Sequence, residues 1–241
     1  MTAHTNEHGQ RIGRELDWTP RPEAVATVLD GQGVRLEPLG SEHVDGLFAG
    51  LCRDDDDALW TYLFWERPQT REEMAALVEV LRADPGAVPL AIVARETGEA
   101  VGFCSLLRID PTMGSIEVGG IAFGRQLQRS RAATEAMYLL MRHAFDDLGY
   151  RRYEWKCDSL NGPSRRAAIR LGFIWEGRWR NAVVYKGRNR DTDWFSITDL
   201  EWPRVKKAME DWLDDRNFDA AGRQRVRLAA RPAEKPTQQE Q

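Results

Sequence analysis

Residues 115–141, SIEVGGIAFGRQLQRSRAATEAMYLLM, decide the fold. Residues 115–124 read as a strand with a glycine pair, Gly119-Gly120, in its middle, where a bulge or a close backbone approach by a ligand is expected. A loop, RQLQRSRA, follows. Then Met137, Leu140, Met141, Ala144, Phe145 and Leu148 recur on one face of a 3.6-residue period, which predicts a helix ending at Gly149, a residue suited to the C′ position. Strand, short loop and long helix in succession gather orphan N–H groups and the positive end of a helix dipole at one point, and that point suits an anion. Arg125, Arg129 and Arg131 surround the turn, and Thr134 adds a hydroxyl. Local physics alone leaves a phosphate cradle and an ordinary connection with surface arginines both open.

Working outward, a strand RYEWKC is expected at 152–157, and a short helix at 162–171, opened by Asn161 and Pro163 and closed by Leu171-Gly172-Phe173. Strands near 173–186 and 193–200 and an amphipathic helix at 203–214 follow. Upstream, 34–39 alternates like a strand, and 41–52 and 70–83 have helical spacing with capping-box starts. Residues 89–94 and 100–107 read as a hairpin around a loop with Gly98. Asp54 to Asp57 reads as a solvated acidic turn, and the aromatic-rich 58–67 fits helix or loop. The order makes a mixed α/β single domain over residues 31–215. Residues 1–30 form an N-terminal extension whose end docks through Trp18 and the Pro20/Pro22 pair. Residues 216–241, rich in Arg, Gln, Glu and Pro, are expected to be a disordered tail.

Composition sets bounds. With 241 residues, 42% hydrophobic and 30% charged, the chain is long enough for a real core and ordinary for a globular protein. No apolar run is long enough to span a membrane, and no secretory h-region opens the chain. Cys52, Cys104 and Cys157 are far apart and odd in number, so they are read as reduced core residues of a cytoplasmic protein, with no metal site. The net charge of −4 argues against a nucleic-acid binder. Yet Arg125 to Arg190 holds 15 Lys/Arg against 6 Asp/Glu, a basic segment in an acidic chain. It suits either a local anionic ligand or solvated helix faces. His43 and His143 are read as surface residues on helices.

Gln128-Arg129-Ser130-Arg131-Ala132-Ala133-Thr134 resembles the Q/R-x-x-G-x-G/A-T pyrophosphate loop of the GCN5-related N-acetyltransferases (GNAT), departing at Arg131, where that family usually has glycine. Asn161-Gly162-Pro163-Ser164, Ala167 and Leu171-Gly172-Phe173 are similar to its second motif. The resemblance spans about Val34 to Asp199 and is closest to the ribosomal-protein N-terminal acetyltransferases and their small-molecule relatives. It implies the GNAT fold: a mixed, mostly antiparallel sheet with flanking helices and a splayed central strand pair that admits an acyl-pantetheine arm. It also implies acetyl-CoA, or another acyl-CoA, as co-substrate. The cofactor-binding residues would be Ile121, Ala122 and Phe123 on the strand, Gln128 to Thr134 in the loop, and Asn161 and Ser164 at the short helix. Arg165, Arg166 and Arg170 would reach the phosphates or lie on a solvated face.

Acyl transfer to an amine needs a neutral nucleophile, donors for the developing oxyanion and a hydrogen bond for the leaving thiolate. A lysine amine with a pKa of about 10.4 is neutral in roughly one molecule in a few thousand at pH 7. Glu117, where several family members carry a glutamate base, is the candidate base; a strand-edge residue is the competing reading. Many family members place a tyrosine where Ala168 stands here. Ser164 is therefore the candidate acid or thiolate partner, and it also suits a helix-turn role. Trp60, Tyr62, Phe64 and Trp65 would wall the acceptor side or fill the core. The strip Lys186 to Asp193 reads as a polar loop that rims the acceptor site or is a plain hairpin tip. The implied activity is transfer of an acetyl group from acetyl-CoA to a primary amine on a protein N-terminus, a lysine or a small amine, with no nucleic-acid or membrane partner and a homodimer left open. The alternative is a non-catalytic acyl-CoA-binding regulatory domain.

Overall fold

The computed structural model describes residues 4–230. In chain order the elements are β1 (His4–Thr5), β2 (Arg11–Ile12), β3 (Leu29–Asp30), β4 (Val34–Pro38), α1 (Val44–Leu51), α2 (Asp57–Trp60), α3 (Arg71–Arg82), β5 (Ala87–Ala94), β6 (Ala100–Asp110) and β7 (Ser115–Phe123). Next come α4 (Arg131–Arg142), β8 (Arg152–Asp158), α5 (Gly162–Arg170), β9 (Ile174–Tyr185), β10 (Arg188–Thr198) and α6 (Trp202–Leu213). Eight strands form one sheet in the order β3-β4-β5-β6-β7-β8-β10-β9. Its pairings are antiparallel except β7 with β8.

Period-two alternation sorts the strands onto two faces. Leu90, Ile92, Cys104, Leu106, Ile116, Val118, Tyr153, Trp155, Phe195 and Ile197 join the buried faces of α4 and α6 in the larger core. Ala91, Val93, Phe103 and Ala122 instead meet α1 and α3 in a second core. On that second face the β7–β10 half bears Glu117, Glu154, Lys156, Trp194 and Ser196, the residues that alternate with the larger core. On this face the β5–β6 part is therefore apolar and helix-covered, and the β7–β10 half is charged.

Several local expectations change. Residues 143–147 form a π-helical segment rather than a continuation of α4. The wider turn stacks Phe145 on Trp202 at 5.0 Å between centroids and brings Asp146 Oδ1 to 2.7 Å from Trp202 Nε1. The strip 188–193 is strand, not loop: Tyr185 pairs with Arg188 around Lys186-Gly187, both at positive φ (48° and 69°), a two-residue turn whose twist matches the strands. His43 is buried, accepting from the Gly40 N–H through Nδ1 at 2.9 Å and donating through Nε2 to Glu37 at 2.8 Å. His143 is buried too, paired with Asp147 at 2.9 Å. Asp56 in the acidic turn is buried against Arg125.

The extension docks as its tryptophan suggests. Trp18 Nε1 donates to Thr112 O at 2.7 Å, its ring covers Gly114, and Arg21 lies 4.4 Å above the ring. At the other end residues 215–230 are ordered, unlike the expectation for 216–241. Asp215–Asn217 make a 3-10 turn, Asn217 bonds Val226, and Ala230 is buried beside Gly172. Short polar segments lack a periodic signal, so this packing, set by Phe218 against Trp212 at 5.2 Å, was invisible to pattern reading. Residues 231–241 lie outside the described residues.

Candidate active site

β7 and β8 pair only from Ser115↔Arg152 to Val118↔Trp155, although the strands run on to Phe123 and Asp158. The cause lies on the other edge of β7. Its register with β6 shifts between Phe103↔Ala122 and Ser105↔Gly119, and Gly120 sits at φ +58°. This is the bulge expected at the glycine pair; the extra residue bends β7 away from β8. A side chain at Gly120 would be strained at that φ, and its Cβ would lie 3.6 Å from the Trp65 ring. Two central strands thus part, and the gap between them exposes unpaired strand edges. Ile121, Ala122 and Phe123 line it on β7, with the Phe123 carbonyl taking a hydrogen bond from Gln128 Nε2 at 2.8 Å.

The start of α4 lies at the end of this strand. Ser130 caps it, its Oγ accepting from Ala133 N at 3.0 Å. Arg129 stands at φ +58°, a left-handed turn that swings the chain into the helix. The N–H groups of Arg131 and Ala132 have no intrahelical partner by position, and that of Arg129 bonds no acceptor among the described residues. The three arginines do not act together. Arg125 is bound to Asp55 and Asp56 at 2.5 and 2.6 Å. Arg131 turns back to Leu213 O and Asp215 and covers the Phe218 ring at 4.6 Å. Its side chain therefore leaves the cradle open where a glycine is usual. Thr134 is buried and accepts from Arg170 at 3.0 Å.

The short helix α5 flanks the other side of the gap. Asn161 is its N-cap, with Oδ1 accepting from Ser164 N at 3.1 Å. Ser164 Oγ accepts from Trp155 Nε1 at 3.0 Å, so its own proton is left to donate. Cys157 beside it has its thiol pushed up to about 11, with burial the largest cause. Ala168 is fully buried, in the larger core.

Glu117 sits on the opposite face. It is buried, and its Oε2 meets Arg108 Nε and Lys156 Nζ, each at 2.7 Å. Oε1 takes no hydrogen bond among the described residues and points at the bulge, 3.2 Å from where a Gly119 Cβ would stand. Lys156 also binds Glu154 at 2.8 Å, and Arg152 links Glu154 to Glu176. Burial acts against the Glu154 carboxylate, but Lys156 and Arg152 outweigh it and hold its pKa below the usual range.

A family model described as acetyltransferase (GNAT) domain matches residues 34–174. The chain belongs to the GNAT acetyltransferase family. It is 31% identical over 139 residues to an uncharacterised N-acetyltransferase, p20, of Bacillus licheniformis, covering 58% of this chain and 77% of that one. It is 24% identical to the ribosomal-protein-serine acetyltransferase of Escherichia coli, covering 65% and 87%. Among solved structures, a GCN5-related N-acetyltransferase from Brucella melitensis is 46% identical with a TM-score of 0.86, covering 88% of this chain and 96% of that one. This GNAT protein is accordingly an acetyltransferase, and its family implies an acyl-CoA co-substrate. The parted strands and the unpaired N–H groups of Arg129, Arg131 and Ala132 fit such a group.

In this GNAT domain the aromatic segment after α2 and the β9–β10 tip meet. Phe64 and Tyr185 lie 5.5 Å apart between centroids, and Arg190 covers Phe64 at 5.2 Å. Lys186 Nζ donates to Trp60 O at 2.9 Å, and Tyr62 Oη to Leu160 O at 3.2 Å. Trp60 itself is core, its Nε1 tied to Leu51 O. Of the arginines on α5, Arg165 is paired with the fully buried Asp193 at 2.7 Å and Arg170 with Thr134; Arg166 lies exposed. Sequence reading missed Arg108, Trp155 and Lys156. The alternation Arg152, Glu154, Lys156 within RYEWKC was the available signal, since three charges on one strand face demand partners.

Proposed function

We propose that this chain is an acyl-CoA-dependent N-acyltransferase that moves an acetyl group from acetyl-CoA directly to a primary amine: a protein N-terminus, a lysine or a small amine. One observation carries the reading: at the point where β7 and β8 stop pairing, Glu117 lies on one face of the sheet and Ser164, bonded to Trp155, on the other. Donor and acceptor can then approach the reacting carbon from opposite sides of the sheet. When bound, acetyl-CoA supplies an activated thioester. Main-chain N–H groups of Arg129, Arg131 and Ala132 would hold its diphosphate. The edge of β7 at Ile121 to Phe123 and the N-cap Asn161 would orient its arm. Glu117 Oε1 takes the proton released as the amine nitrogen bonds to the acyl carbon, directly or through water. The Ser164 hydroxyl donates a hydrogen bond to the sulfur as the carbon–sulfur bond breaks. Direct transfer fits the Cys157 thiol, which burial keeps protonated and so a poor nucleophile. A cytoplasmic setting fits the three free, buried cysteines.

The test is a panel of acyl-CoAs against a panel of amines, read as free thiol release. Acceptor-dependent turnover with acetyl-CoA is expected. Tight binding of acyl-CoA with no transfer to any amine in the panel would overturn the catalytic reading in favour of a regulatory one.

A further inference from the structure

Lys156 is the first residue of β8 beyond the last β7–β8 pair. Its side chain is 3% exposed, and its ammonium lies 2.7 Å from Glu117, 2.8 Å from Glu154 and 3.5 Å from the centre of the Trp194 ring. Removing an ammonium from water is costly, and two carboxylates with an aromatic face offset that cost. Stability alone is a weak reason for such a pair, because apolar residues of similar volume often serve as well. The geometry has a more specific consequence. The terminal torsion of a glutamate is broad, so a lone carboxylate does not present one oxygen in one direction. Here Lys156 from β8 and Arg108 from β6 both bind Oε2. Oε1 is left at the bulge where β7 and β8 part.

We infer that Lys156 is a positioning residue for acyl transfer: it fixes Glu117 by Oε2 so that Oε1 faces the amine, with Arg108 as a second, outer clamp. This rests on the reading of Glu117 as proton acceptor. It requires no contact between Lys156 and either substrate.

The experiment measures steady-state thiol release and thermal melting for Lys156→Met, Lys156→Arg, Glu117→Gln, the Lys156→Met/Glu117→Gln pair and Arg108→Gln. Glu117→Gln is expected to lower kcat by about 100-fold or more. Lys156→Met should lower kcat by about 10- to 100-fold, the scale of a misplaced catalytic group, with the KM for acyl-CoA unchanged. Lys156→Arg should restore most of the loss. In the Glu117→Gln background, Lys156→Met should cost nothing further. Arg108 is 66% exposed, so Arg108→Gln can be read even where Lys156→Met fails to fold; it should lower kcat several-fold, about the weight of an exposed ion pair, without a change in melting. Full kcat in a folded Lys156→Met, multiplicative losses in the double variant, or, with Lys156→Met unfolded, an unchanged Arg108→Gln each overturn the positioning role and leave Glu117 standing. Full activity of Glu117→Gln removes the base and the positioning role together.

Discussion

Gly120→Ala isolates the bulge. The added Cβ meets nothing closer than the Trp65 ring at 3.6 Å and Ser105 Oγ at 3.8 Å, ordinary contacts, so no clash is introduced. What changes is the backbone: at φ +58° an L side chain costs about 1–2 kcal/mol. For a chain of this size such a loss lowers Tm by roughly 2–8 °C. The variant relieves that strain by re-registering β7 against β6, which lets β7 close toward β8 and shifts the edge at Ile121 to Phe123; a displacement of about 1 Å near the reacting group costs up to about 100-fold in rate. Measured side by side, the melting loss should be small and the fall in kcat/KM for acyl-CoA should be at least tenfold. A variant that melts a few degrees lower yet keeps full kcat/KM refutes the idea that the bulge sets up the donor gap.

Other consequences can be checked with the same enzyme. Ser164→Ala should lower kcat about tenfold while donor binding persists in calorimetry, and it should cost about 1 kcal/mol because Trp155 Nε1 loses its acceptor. Arg131→Gly, which restores the residue usual in the family's loop, should leave the KM for acyl-CoA within about twofold, on the scale of an exposed ion pair, because the guanidinium is spent on Leu213, Asp215 and Phe218. It should lower Tm; a tenfold rise in KM would place that side chain on the phosphates after all. Glu154 and Glu176 both have pKa values held below the usual range. Burial opposes ionisation most for Glu154 and is outweighed by Lys156 and Arg152, whereas for Glu176 the Arg152 hydrogen bond is the largest cause. A depressed carboxylate stabilises the fold above its unfolded pKa, about 4.3, and that contribution is lost as pH falls through the folded value. Chemical denaturation should therefore show stability declining below about pH 4, less steeply in Glu154→Gln; an equal slope in both proteins would discount the ladder.

Much of the architecture was legible because it rests on periodicity. The strand at 115–124, the helical face from Met137 to Met141 and the Asn161 cap are each present in the structure, and the Gly119-Gly120 pair marks the bulge. Some departures arise because a residue's partner lies far away in sequence. Arg125 and Arg131 surround the loop in the sequence, and Asp55, Asp56 and Asp215 bind their side chains from 69 to 84 residues away. Histidines on helices looked exposed because their caps and carboxylates could not be placed. The Lys186-Gly187 turn was hidden inside what read as a polar loop, since its residues are not the commonest pair at that turn. For the site, one strand and one loop named Glu117 and the cradle, whereas the clamp of Arg108 and Lys156 exists only once β6, β7 and β8 are side by side.

The central claim is that a CoA thioester lies in the gap with its diphosphate on the first turn of α4. Calorimetric titration of the purified chain with acetyl-CoA tests it most directly. A saturable one-to-one isotherm is predicted, with a dissociation constant in the range of about 1 μM to 1 mM usual for enzyme substrates, and free CoA should compete. A flat trace at millimolar acetyl-CoA and at every other acyl-CoA tried would contradict it.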